Sequence, residues 1–454
     1  MNTRISVVGL GKLGACMAAT MASKGVQVMG VDVNSSTVEA LNAGRAPVVE
    51  PHLQEMITAN RPRLRATTSL DEAVAASSMS FIVVPTPSDD RGGFSIRYAE
   101  QAARSIGRAL RNKSDYHLVI LTSTVLPGST EHGILPAIEE ESGKKCGRDF
   151  GLCYNPEFIA LGNVIHDLLN PDFILIGKSD ERTGAMLEQW YGTYCDNHPP
   201  VALMNFVNAE LTKLSVNTYI TMKITFANML AAICEELPGA DVDTVTAAIG
   251  RDLRIGRRYL TGGLGYGGPC FPRDNQALAS MAQTIGVPSG LAETTDAMNQ
   301  KLLLRQVERV RSLLRPGMRL GILGLAYKPN TNVIEESQGL VLAQGPSDNG
   351  NVVAVYDPLA MEIARSVLKD KVRYMSSALE CIQNSDLVVI TTPADEFRAL
   401  EAADFPKRRE KILVLDCWRI LAEPLRHCPW VEYLPLGVGQ ERSYTAPALT
   451  QAAR

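Results

Sequence analysis

No CxxC pair occurs among the nine cysteines, and an odd cysteine count without paired spacing suits neither a disulfide framework nor a zinc ribbon. Reduced thiols in a cytoplasmic protein, with no metal site, are the expectation. The six histidines, at 52, 117, 132, 166, 198 and 427, join no cluster of ligand spacing, which disfavours zinc chemistry and a histidine-based alcohol dehydrogenase. No apolar run reaches the roughly 18 residues a membrane helix needs, and Met1-Asn2-Thr3-Arg4 leads straight into a strand pattern, so neither a span nor an export signal is expected. Positive charge is not in excess: 45 Lys and Arg against 49 Asp and Glu leave a net charge of −4, no field for a phosphate backbone. Nucleic acid is therefore not an expected partner. The 45% of hydrophobic and 21% of charged residues suit packed cores rather than disorder, and 454 residues suffice for two or three domains.

Residues 5–10 form a β-branched run ending in glycine, residues 12–23 read as a helix and residues 26–33 resume strand character, a βαβ opening. Apolar runs at 79–84, 118–122, 151–154 and 173–176 extend a parallel sheet, with helix such as 99–110 between them. From 206 to about 237 there is neither glycine nor proline, which predicts one long helix; another is expected over 242–249, with more helix up to about 314. At Arg315-Pro316-Gly317 the pattern breaks, and strands at 319–323, 352–356, 386–391 and 412–416 begin a second α/β domain. Three domains are expected, 1–200, 201–314 and 315–454. The third echoes the first in its strand, glycine turn, helix order at Gly321-Ile322-Leu323-Gly324, without a strict repeat.

Gly9-Leu10-Gly11-Lys12-Leu13-Gly14 matches GxGxxG between strand and helix, where glycines let helix-start amides meet a pyrophosphate. Asp32 ends the second strand, where a carboxylate bonds a ribose diol and repels a 2′-phosphate, favouring NAD over NADP. A glycine turn that binds nothing, or another adenine cofactor, is the alternative. The expected fold class is thus α/β: two Rossmann-like, doubly wound domains joined by a helical middle domain with a long central helix. Thr86, Thr124 and Glu157 each follow an apolar strand, where ligands of open parallel sheets collect, and equally suit ordinary strand-end turns. Glu210, Lys213 and Asn217 fall within about 60° of one another on the predicted helix. They form either a solvated stripe or, through Lys213 and Asn217, donors for an oxyanion. Most distinctive is the run from Leu260 to Asp274, with five glycines between Gly262 and Gly268 delivering Cys270 between two prolines. A cysteine on such a loop beside Arg273 and Asp274 is a candidate nucleophile, whereas most lone cysteines are buried hydrophobes.

Taken together, the chain resembles the UDP-glucose/GDP-mannose dehydrogenase family over nearly its whole length. The resemblance rests on GLGKLG at 9–14, STVLPGST at 123–130, NPEF at 155–158, PDFILIG at 171–177, AELTKLSVN at 209–217, GYGGPCFPRD at 265–274 and GLAYKPNT at 324–331. It implies an NAD-dependent oxidation of the C6 alcohol of a nucleotide sugar to a carboxylate, with Cys270 carrying the covalent intermediate, Lys213 and Asn217 holding oxyanions and Asp274 helping to activate water. Thr124 and Glu157 would serve the catalytic water and nicotinamide site, and Arg273 the cofactor. Phe158, Tyr259, Leu260 and Gly267 would line the sugar pocket, Lys328 would reach it from the C-terminal domain and Arg254 from a second subunit, in a homodimer formed through the central helix. UDP-glucose is the expected substrate. GDP-mannose, dTDP-glucose or a UDP-N-acetylhexosamine are the alternatives, followed by a two-electron hydroxyacid dehydrogenase and a catalytically silent NAD-binding module. The chain departs from the family pattern at Leu161, where a carboxylate is usual, and at Pro269 and Arg273, where serine and lysine are usual. It departs again at Glu335, in place of an arginine, and at Asp416-Cys417-Trp418-Arg419, in place of a DGRN-like run.

Overall fold

Strands buried on both faces need helices on both sides, and the apolar runs of this chain are placed accordingly. The computed structural model describes residues 4–348 and 350–440. The first sheet contains β1 (Arg4–Val8), β2 (Gln27–Val31), β3 (Leu64–Thr67), β4 (Met79–Ile82), β5 (His117–Leu121), β6 (Phe150–Tyr154), β7 (Ile174–Lys178) and β8 (Val201–Met204), in the order β3-β2-β1-β4-β5-β6-β7-β8. Alternate side chains go to opposite faces: Ile5, Val7, Phe81 and Ile120 join one apolar cluster, and Val8, Ile82, Val119 and Leu121 the other. All neighbours are parallel except β6 and β7, which are antiparallel. The expected all-parallel extension fails there because a continuous apolar run carries no information about strand direction.

The second sheet has β9 (Arg319–Leu323), β10 (Val352–Tyr356), β11 (Arg373–Tyr374), β12 (Leu387–Ile390), β13 (Ile412–Asp416) and β14 (Val431–Pro435), in the order β11-β10-β9-β12-β13-β14, all parallel. Both sheets reverse their strand order beside the first strand, the point where doubly wound folds open a crevice for ligands.

Between the sheets in sequence run the helices Phe206–Glu236, Val242–Ile249, Phe271–Thr284 and Gly290–Leu313. Asp241 starts the second of these by accepting from Asp243 N at 2.7 Å and Thr244 N at 3.2 Å. The chain forms two compact units: the part up to Val216 together with Gln276–Pro288, and Asn217–Asn275 together with the chain from Ser289 onward. The helices Phe206–Glu236 and Phe271–Thr284 contribute to both. Among the described residues no helix is long and apolar enough to cross a membrane.

Candidate active site

In the first unit the glycine turn after β1 has the shape a dinucleotide requires. Gly9 has φ +98°, and a Cβ there would sit 2.3 Å from Val83 O; a Cβ at Gly14 would sit 1.8 Å from Gly9 O. Glycine is compulsory at both positions. A Cβ at Gly11, by contrast, meets nothing within 4 Å, so the middle glycine faces open space. The helix Lys12–Ser23 begins there with no side-chain cap from Gly11 and no acidic residue in its first turn, a helix start that suits an anion. Lys12 and Leu13 are half-buried in this turn. Asp32, at the end of β2, accepts from Leu10 N at 2.8 Å and Asn34 N at 2.9 Å, which aims its carboxylate beside the turn. These residues fit NAD.

The loops after β4 and β5 are tied together. Thr86 Oγ1 donates to Thr124 O at 2.7 Å, while Ser123 Oγ donates to Val84 O at 2.7 Å and accepts from Val84 N at 2.9 Å. After β6, Glu157 is half-buried beside Tyr191, whose hydroxyl lies 2.5 Å from Asn155 Oδ1 and 3.1 Å from Glu157 Oε1. Lys213 donates to Glu157 O at 2.7 Å, and its ammonium stands 4.5 Å from the centre of the Phe158 ring. Burial pushes the Glu157 carboxyl up to about 7, with the Tyr191 hydrogen bond and the Lys213 charge pulling the other way.

Glu210, Lys213 and Asn217 are 0%, 7% and 7% exposed, which excludes the solvated stripe. Glu210 instead accepts from Gly128 N at 2.6 Å and Thr130 N at 2.8 Å, holding the STVLPGST loop. That role was not expected. Its sequence signal was a carboxylate on the same helical stripe as two candidate catalytic residues. Glu50 acts similarly on the loop after NPEF, accepting from Gly162 N and Val164 N, both at 2.9 Å. Tyr191 and Glu50 carry no motif that would reveal them.

Of the nine cysteines, Cys270 in the second unit is exposed, Cys146 is half-buried and the other seven are buried. Asp274 N donates to Cys270 O at 2.8 Å, so Cys270 caps the helix Phe271–Thr284. In the first turn of that helix Asp274, 1% exposed, accepts from Asn217 Nδ2 at 2.6 Å. Arg273 Nη2 lies 3.9 Å from Asp274 Oδ1. The glycines leading to Cys270 are required by close packing: a Cβ at Gly267 would sit 2.0 Å from Glu336 O, and one at Gly268, φ +79°, would sit 2.5 Å from the Tyr327 ring.

Sequence models of the UDP-glucose/GDP-mannose dehydrogenase family match residues 3–195 as its NAD binding domain, 207–301 as its central domain and 321–423 as its UDP binding domain. The chain belongs to this family. A UDP-glucose 6-dehydrogenase of Haloferax volcanii is 38% identical over 425 residues, covering 92% of this chain and 97% of its own. A GDP-mannose 6-dehydrogenase of Pseudomonas aeruginosa is 34% identical over 402 residues, 85% and 91% of the two chains. Among solved structures, a UDP-glucose dehydrogenase from Pyrobaculum islandicum superposes with a TM-score of 0.86 at 35% identity, covering 96% of this chain and 98% of that one. The protein is an NAD-dependent nucleotide-sugar 6-dehydrogenase.

The remaining expected residues of this dehydrogenase are spread through the second unit. Arg254 pairs with Asp252 on an exposed loop, Nη2 to Oδ2 at 2.6 Å. Tyr259 is exposed with φ +64°, and Leu260 is buried. Lys328 lines a cavity of about 220 Å³ with Asp357, Thr392 and Glu396, at the strand-order reversal of the second sheet. The departures from the family pattern also have places. Leu161 packs on the core of the first unit. Glu335 O accepts from Gly268 N at 3.0 Å, at the root of the cysteine loop. Trp418 donates through Nε1 to Thr391 O at 2.8 Å, and its ring leaves Gly263 no room for a Cβ. Arg419, φ +58°, donates to both oxygens of Asp243 and, at 2.6 Å, to Gly262 O.

Proposed function

We propose that the enzyme oxidises UDP-glucose to UDP-glucuronate, a four-electron conversion through a thiohemiacetal and a thioester on Cys270. The observation that carries this reading is the placement of one exposed thiol at a helix start, one turn before a buried aspartate held by Asn217. A helix N-terminus favours an anionic sulfur. NAD bound at the Gly9–Gly14 turn would be the hydride acceptor, used twice per sugar. Lys213 assists deprotonation of the C6 alcohol, and Cys270 Sγ then adds to the aldehyde carbonyl to form the thiohemiacetal. Lys213 and Asn217, one turn apart on the same helix, donate to the oxyanions. Asp274 takes a proton from the water that cleaves the thioester, and Glu157 and Thr124 shape the site for that water and the nicotinamide. Thr86 and Arg273 support the cofactor. Phe158, Tyr259, Leu260, Gly267 and Lys328 line the sugar nucleotide's path.

The choice of UDP-glucose is supported by the Haloferax and Pyrobaculum relatives. GDP-mannose is the second reading, supported by the Pseudomonas relative. The same reading makes the enzyme a cytoplasmic homodimer. Val207, Leu211, Tyr219, Phe226 and Ile233 are all exposed on the central helix, and Arg254 on its exposed loop would complete the partner's site.

Cys270→Ala tests the chemistry. Wild-type enzyme should release two NADH per UDP-glucose, and the variant should lose about three orders of magnitude or more in turnover. Uronate formation by the variant at the wild-type rate would exclude covalent catalysis. A panel of UDP-glucose, GDP-mannose, dTDP-glucose and UDP-N-acetylhexosamines should give the highest kcat/KM for UDP-glucose.

A further inference from the structure

A loop built largely of glycine has high conformational entropy, yet a nucleophile must be held to within fractions of an ångström of its target. Tyr266 is the one large polar side chain among the glycines that precede Cys270, and it is 5% exposed. Its backbone is gripped on both sides. Tyr266 N donates to Asn299 Oδ1 at 3.1 Å, while Tyr266 O accepts from Asn299 Nδ2 at 3.0 Å and Gln338 Nε2 at 3.3 Å. A Cβ at Gly265 would sit 2.1 Å from Asn299 Oδ1, so the grip also requires the preceding glycine.

The Tyr266 hydroxyl donates to Asp296 Oδ1 on the helix Gly290–Leu313. The same oxygen accepts from Asn275 Nδ2 at 2.8 Å, and Asn275 Nδ2 lies 3.1 Å from Thr221 Oγ1. Asn275 and Thr221 are 1% and 0% exposed. Every end of this network adjoins a residue of the proposed chemistry. Asn275 follows Asp274 in sequence, Thr221 lies one turn beyond Asn217 on the central helix, and Phe271, the residue after Cys270, packs edge-on against the Tyr266 ring with centroids 6.2 Å apart. Burial also pushes the Asp296 carboxyl upward, with the donated hydrogen bonds from Asn275 and Tyr266 opposing it, as a group enclosed with its partners should behave.

We propose that Tyr266 and Asp296 are positioning residues: their hydrogen bond, joined through Asn275 to Thr221, locks the cysteine loop to the helix turns that carry Asp274 and Asn217. The inference rests on Cys270 being the nucleophile. It assigns the network no contact with substrate, only the placement of groups that have one.

Tyr266→Phe removes a single hydroxyl, and Asp296→Asn keeps shape while removing the charge. In each, kcat for UDP-glucose should fall about 10- to 100-fold with KM changed less than about threefold. Alkylation of Cys270 by iodoacetamide, followed by intact mass, should slow in parallel. Because the Tyr266 hydroxyl acts through Asp296, the double variant should be no worse than the poorer single one. Thermal denaturation shows whether each variant folds, and if Asp296→Asn does not, Tyr266→Phe alone decides. Wild-type kcat and alkylation rate in Tyr266→Phe would overturn the inference, as would fully multiplicative losses in the double variant. A mistaken nucleophile assignment shows differently, as uronate formation by Cys270→Ala.

Discussion

A carboxyl that loses hydration on folding reports the loss through pH, and Glu157 is such a group. Its pKa is pushed up to about 7, chiefly by burial, against about 4.3 in an unfolded chain. Below pH 4 both states hold the proton and the folded state carries no penalty. Between there and pH 7 the folded state holds a proton that the unfolded chain releases, so this group's contribution to stability is lost as pH rises through the window. Glu157→Gln has no charge to bury. It should therefore be more stable than wild type at pH 8, by about 1 to 3 kcal/mol, and no more stable at pH 4.5. Thermal denaturation at the two pH values checks this, and an equal difference at both would show that Glu157 ionises normally in the fold. A base poised near neutrality also suits activation of water, so the acid limb of the wild-type rate profile should be altered in the variant.

At the scale of elements, the central helix has two faces with different surroundings. At about 100° per residue, Val207, Leu211, Tyr219, Phe226 and Ile233 share an arc of about 120°, and Glu210, Lys213 and Asn217 fall on the opposite side. The first group is exposed and the second buried. The helix itself was legible in the sequence, over 206 to about 237 as expected against the observed Phe206–Glu236, because thirty-one residues without glycine or proline leave the backbone no other regular choice. Which apolar side chains face the chain's own core was not legible, since periodicity records that a residue is apolar and not what covers it. The same limit hid β3, β8, β11 and β14, which are short or mixed in character, and hid Glu210, whose partners are backbone amides 80 residues or more away. For the exposed arc, the dimer reading predicts that Tyr219→Lys combined with Phe226→Glu converts the protein from dimer to monomer in sedimentation velocity. Activity should fall with it, because Arg254 would no longer reach a second copy. A wild-type monomer, or an unaltered dimer in the double variant, would refute that arrangement.

Across the whole molecule the same turn is built twice, although the sequence shows only a faint echo. Gly324 has φ +110° as Gly9 has φ +98°; Gly324 N donates to Tyr356 O at 2.8 Å as Gly9 N donates to Val31 O at 2.7 Å. A Cβ at Gly339 would meet Gly324 O at 2.3 Å, as one at Gly14 would meet Gly9 O at 1.8 Å. The correspondence was obscured because residues 327–337 intervene between turn and helix in the second copy, and because Gly321, which seemed part of the turn motif, lies inside β9. The differences decide function. The open middle glycine, Gly11, corresponds to buried Ala326. Asp32 accepts from two backbone amides, whereas Asp357 accepts from four, Leu325, Ala326, Leu359 and Ala360, at 2.7 to 3.0 Å. Asp357 is consumed as a staple and has no capacity left for a ribose diol. Isothermal titration should accordingly find one NAD per chain. Asp32→Ala should weaken NAD binding about tenfold or more, through loss of charge-assisted hydrogen bonds. Asp357→Ala should leave NAD affinity unchanged while lowering Tm, because it strands buried amides. Two NAD per chain, or weakened NAD binding by Asp357→Ala, would mean that the second turn has kept the first one's ligand.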